Sequence, residues 1–173
     1  MIRKRDWLWL LLFPVYLILS TYRHEAAHAI VATMQGAEVL KFTFWPSYYE
    51  NGKFYFGYVL WQGGETNWLV DAAPYFIDLL TYSVFFPVVY WVRFRWHGQW
   101  LNLVIVGLLS PIVNTLYNYV RGGDVRDLLA VLPNFWVHVC FLLGSGLVIL
   151  GLVLSFTSSV QAKMKGGKEP IEP

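Results

Sequence analysis

The run His24-Glu25-Ala26-Ala27-His28 sets two imidazoles four residues apart with a carboxylate beside the first. On a helix, that spacing stacks His24 and His28 one turn apart on a single face, where both can hold one zinc ion. Glu25 then lies next to the metal, placed to take a proton from zinc-bound water. The chain has four His and six Glu. A shuffled chain of this composition would contain HExxH roughly 0.3% of the time, so chance explains it poorly. The plainer alternative is a helix leaving the bilayer, with both histidines at the headgroups.

A catalytic zinc takes three protein ligands and keeps one position open for water. Of the other histidines, His97 falls in a predicted inner loop, on the wrong side. His138 begins the last apolar span at a suitable depth, where an interfacial or core role is the plainer one. Among carboxylates, Asp124 ranks first. It follows Gly122-Gly123 at the outer end of the third span, level with the histidines. Its plainer role is the N-cap of a helix starting at Asp124-Val125-Arg126-Asp127. Asp127, Asp71 and Asp78 follow in that order. Asp78 lies about 15 Å into the second span, where carboxylates are costly and usually functional. Glu38, Glu50 and Glu65 lie in a segment that lacks the helical context of such sites.

The elements that must position these residues are apolar. Hydrophobic residues make up 57% of the chain and charged residues 14%, against about 25% charged in a soluble domain. This predicts a single integral membrane domain over residues 1–160 and a polar tail without structure over 161–173. Four stretches reach the roughly 20 residues that a crossing needs: Asp6–Met34 with Pro14 as a kink point, Trp68–Val92, Trp100–Val120 and Phe135–Phe156. Arg3, Lys4 and Arg5 before a Leu-rich run resemble a signal peptide, but no small-residue cleavage site follows, so the run reads as an uncleaved first span. The positive-inside rule then puts both termini in the cytoplasm and the histidines near the outer face.

Between the first two spans the period changes. Val39, Lys41, Thr43 and Trp45 alternate with Leu40, Phe42 and Phe44, and a second β-rich run covers Phe54–Trp61. Asn51-Gly52 between them is a hairpin signal, and Pro46 ends the first strand. The fold class is thus an all-α membrane protein of about four transmembrane helices with a short membrane-associated β-hairpin after the first. The hairpin is either an anchor or an edge that holds an extended substrate. The single cysteine, Cys140, excludes an internal disulfide and a CxxC metal site. No basic stripe suits nucleic acid, because the cations cluster at span ends.

The run from His24 to Ala32, with Gly36, Val39 and Phe42 to Phe44 after it, resembles the first core span and following strand of the site-2 protease family of intramembrane zinc metalloproteases. Leu109-Ser110-Pro111-Ile112-Val113-Asn114, followed by Gly122-Gly123-Asp124, is similar to the family's third core span. There an Asp-Gly motif supplies the third ligand; here the aspartate follows two glycines. Where the family often has Gly-Pro and then Asn in its second span, this chain has Ala73-Pro74 and then Asp78. The likeness covers roughly Leu8 to Leu129. It implies zinc held by His24, His28 and Asp124, with Glu25 as general base. It also implies cleavage of a membrane-embedded protein or peptide, with Asn114 a candidate for holding substrate or oxyanion. Asn114 has a plainer role as a polar contact between spans. Two rivals remain: a non-catalytic metal-binding membrane protein, and a small ion transporter using His24, His28 and Asp78.

Overall fold

The computed structural model describes residues 11–49, 52–92, 94 and 97–166. It is mostly helical, with a small sheet inserted after the first helix. The first helix, α1, is Phe13–Met34. Pro14 sits in its first turn, where no intrahelical donor is needed, rather than kinking it. The helix ends in a Schellman motif. Gly36 takes φ +82°, the Ala37 N–H donates to Ala32 O, and the Gly36 N–H donates to Thr33 O, both at 3.0 Å. Ala32 and Ala37 then pack on Val70, fixing the angle at which the chain leaves α1.

The sheet segment forms two antiparallel pairs. β1 (Glu38–Thr43) pairs with β4 (Tyr58–Gln62), in register from Glu38↔Gln62 to Thr43↔Tyr58 with an irregularity between Val39 and Lys41. β2 (Ser47–Tyr48) pairs with β3 (Phe54–Tyr55) nearer the tip. The expected hairpin is therefore present but interrupted, with Pro46 between β1 and β2. Gly52 carries the positive φ of the tip turn; Asn51 and Glu50 lie outside the described residues.

Helix α2 is Leu69–Trp91. The next rod is α3 (His97–Val104), a π-helical turn (Ile105–Leu109) and α4 (Ser110–Arg121). Pro111 has no N–H and crowds the carbonyl one turn back, and the wider turn accommodates it. A short α5 (Gly123–Val131) and a long α6 (Asn134–Gly166) complete the fold. The main core gathers Tyr16, Tyr82, Val89, Trp100, Val104, Leu108 and Val148 from α1, α2, the π-containing rod and α6.

Three helical stretches are long and apolar enough to cross a membrane: Leu69–Trp91, Gly98–Arg121 and Asn134–Thr157. They match the last three expected spans. The described part of the first span, α1, is not among them. Arg23, His24, Glu25 and His28 lower its hydropathy, and expected residues 6–10 lie outside the described part. The last helix also runs to Gly166, into the tail expected to lack structure. Gln161, Ala162, Lys163, Met164 and Lys165 are good helix formers, and extending an existing helix is far cheaper than starting one.

Candidate metal centre

α1 presents His24 and His28 on one face, with ring centroids 5.0 Å apart. Both are buried, as is Glu25 between them. The third group comes from a hundred residues away. α4 ends where Gly122 adopts an extended backbone and its N–H donates to Asn118 O at 2.7 Å. A Cβ at Gly122 would fall 2.6 Å from that same oxygen, so glycine is required. The break lets α5 start at a new angle, and Val125 and Leu128 anchor α5 against Ala72 and Val137.

Asp124 therefore reaches the histidines from the first turn of α5. Its Oδ2 lies 3.1 Å from His24 Nε2 and 3.5 Å from His28 Nε2. One ligand atom from each of the three residues lies within 4.8 Å of the other two. The N-cap of α5 is Gly122, not Asp124. A first-turn carboxylate still benefits from the positive end of the helix dipole. Burial alone would raise the Asp124 carboxyl, but hydrogen bonds and charge from His24 and His28 outweigh it and hold the group well below the usual carboxylate range.

The surroundings of His28 suit a metal. Its Nδ1–H donates to the Val70 carbonyl at 2.8 Å. That carbonyl is free because Pro74, four residues on in α2, has no N–H to donate to it. A backbone carbonyl only accepts, so the proton must be on Nδ1 and the Nε2 lone pair faces the site. This lone pair looks at the Asp124 carboxylate across 3.5 Å. Two acceptors that close call for a cation between them or a second proton on the ring. The donor set of two imidazoles and one carboxylate is one that zinc takes, so these residues fit the ion. Trp61 of β4 stacks on His28 at 6.1 Å, 22° from parallel, and the Tyr75 hydroxyl approaches Asp124 Oδ2 at 3.4 Å.

Glu25 lies close enough to His24, His28 and Asp124 to interact electrostatically with all three. The turn before β4 covers it: a Cβ on Gly57 would come within 2.9 Å of Glu25 Cγ. The sheet thus rests on the site instead of projecting away from it.

The other candidates fall elsewhere. Asp78 pairs with Arg23, whose Nε and Nη2 donate to Oδ1 at 3.1 and 2.5 Å. Asn114 Nδ2 donates to the other oxygen of Asp78 at 2.8 Å and stands 3.0 Å from His24 Nδ1. Asn114 is thus a polar contact between spans. Asp71 is half-buried and Asp127 exposed, and neither belongs to the ligand cluster. His138 Nδ1 meets the Tyr119 hydroxyl at 2.8 Å. Glu38 starts β1, Glu65 sits in the loop before α2, and His97 opens α3.

Sequence reasoning missed Arg23, Trp61, Val70 and Tyr75. Only Val70 carried a signal: a proline inside a helix frees the carbonyl four residues earlier. No protein-family model matches the chain, and neither a curated protein nor a solved structure matches it.

Proposed function

We propose that this chain is a zinc-dependent intramembrane endopeptidase of the site-2 protease kind, cleaving membrane-embedded protein or peptide substrates. The observation that carries the reading is the meeting of His24, His28 and Asp124, from α1 and α5, with Glu25 buried beside them. A bound zinc would supply a water acidified toward a pKa of about 7 and a Lewis acid for the scissile carbonyl. Glu25 accepts the proton of the attacking water and then passes it to the leaving amine. Its burial keeps that proton from bulk water between the two steps.

A helical substrate hides its amides, so it must unwind before cleavage. The sheet suits that task, because an unwound segment can add to a strand edge through backbone hydrogen bonds, and Trp61 and Gly57 bring the sheet onto His28 and Glu25. A cavity of about 460 Å³ between α2, α4, α5 and α6 has Tyr75, Asp78, Thr115 and Ser145 in a mostly apolar wall, which suits apolar substrate side chains. In this reading α1 is a fourth crossing, and both termini face the cytoplasm.

Glu25 separates this reading from a non-catalytic metal-binding protein, since pure binding has no use for a carboxylate there. The Arg23 partner of Asp78 weighs against an ion path running through that residue. The test is metal analysis with a cleavage assay on purified wild type and Glu25→Gln. The variant is expected to keep its metal and lose turnover by at least about a hundredfold, the typical worth of general base catalysis. Equal activity in the two proteins would end the protease reading.

A further inference from the structure

Asp78 is 2% exposed, in the middle of an apolar helix. A carboxylate–guanidinium pair in such surroundings is no more stabilising than a well-packed apolar pair, and ionisable groups within membrane spans are seldom idle. Its use is found in what it touches. Asp78 Oδ1 takes Arg23, and Oδ2 takes Asn114 Nδ2.

The orientation of the Asn114 amide follows from its neighbours. Asn118 Nδ2 donates to the Asn114 backbone carbonyl at 3.1 Å, which fixes Asn118. The same nitrogen reaches Asn114 Oδ1 at 3.2 Å, so that side of Asn114 is an acceptor. The carboxylate of Asp78 requires a donor on the other side. His24 Nδ1, 3.0 Å from that same Asn114 nitrogen, is therefore an acceptor. A neutral ring whose lone pair is on Nδ1 has its proton on Nε2, and His24 Nε2 faces Asp124 Oδ2 at 3.1 Å. His28 is the reverse, with its proton on Nδ1 toward Val70 O.

We propose that Asp78, acting through Asn114, is a positioning residue that holds metal-free His24 with its proton on Nε2, so that metal uptake requires the Asn114 amide to turn over. This rests on the reading of His24, His28 and Asp124 as a metal site. A ring that gives Nε2 to a metal carries its proton on Nδ1 and needs an acceptor there. Asn114 Oδ1 serves only after the amide turns, and turning sets that oxygen against the Asp78 carboxylate. Asp78 thus makes the site hold its metal less tightly than the three ligands alone would.

The test uses the full-length chain in nanodiscs, labelled with ¹⁵N-histidine and freed of metal, with each ring assigned from its His→Gln variant. Proton–nitrogen correlation reads which ring nitrogen carries the proton, and Zn²⁺ affinity is measured by chelator competition. Wild type is expected to show His24 with its only ring proton on Nε2, and His28 protonated on Nδ1 and, without metal, on Nε2 as well. In Asp78→Asn the introduced amide can meet either face of Asn114. The His24 proton is then expected to shift toward Nδ1, and Zn²⁺ binding to tighten about tenfold. If Arg23 left unpaired prevents folding, the double variant Arg23→Gln/Asp78→Asn carries the same expectation. Weaker Zn²⁺ binding with an unmoved His24 proton, or wild-type His24 protonated on Nδ1, would overturn the proposal. A wild type that takes up no Zn²⁺ overturns the metal-site reading, and the ring-proton measurement, made without metal, tells that failure from failure of the Asp78 relay.

Discussion

The two histidines of one motif live in different kinds of surroundings. His28 is held by backbone: a carbonyl of α2 that Pro74 leaves unpaired, with Trp61 stacked on the ring. His24 is held by side chains, Asn114 and behind it Asp78 and Arg23. A backbone carbonyl can only accept, so the His28 tautomer is fixed by covalent structure. An amide can turn, so the His24 tautomer depends on a network. Identical side chains four residues apart are thus one rigid and one adjustable. Asp124 is the group they share, and it comes from neither surrounding.

The largest expected effect removes the shared arm. Asp124→Ala leaves two imidazoles with no third ligand and should lower Zn²⁺ affinity by at least about a hundredfold, since losing a ligand exceeds the 10–100-fold typical of an outer contact. Asp78→Ala should not lower metal content, because Asp78 touches the site only through Asn114 and there works against metal uptake. Metal analysis of both variants checks this, and the reverse order would put Asp78 among the ligands.

Next in size is the rigid side. Pro74→Ala restores an N–H that competes with His28 for the Val70 carbonyl. Zn²⁺ affinity is expected to fall about tenfold. Stability is expected to move differently: Ala is favoured over Pro in a helix interior by about 3 kcal/mol, against the cost of the small cavity left by a fully buried ring. Chelator competition and thermal unfolding on the same sample separate the two. A fall in affinity accompanied by an equal loss of stability would mean that Pro74 only packs.

What the sequence disclosed divides along the same line. The His24/His28 spacing is local, and helical geometry alone puts both rings on one face. The three long apolar spans follow from length and composition. Asp124 was reachable because few carboxylates sit at the right depth, although Gly122 rather than Asp124 caps the helix. The pairing of Arg23 with Asp78 is 55 residues apart in sequence, and nothing local in either residue names its partner. The contacts of Trp61 depend on how the sheet folds back on α1, which the Schellman turn at Gly36 decides. Polar residues that help build the site also obscured it, since they take the described part of α1 below the hydropathy of a spanning helix.

The smallest expected effect concerns the stacked ring over His28. Trp61 lies nearly parallel to the imidazole at 6.1 Å, too far for strong stacking but close enough to exclude water and limit ring rotation. Trp61→Leu keeps an apolar cover and loses the flat surface. The Val70 hydrogen bond stays, so the tautomer of His28 should not change and Zn²⁺ affinity should fall by no more than about threefold, less than 1 kcal/mol. The same ¹⁵N-histidine spectrum and chelator competition read both. If His28 lost its Nδ1 proton in this variant, the carbonyl freed by Pro74 would be too weak to fix the ring alone, and the contrast between a rigid and an adjustable histidine would collapse into two adjustable ones.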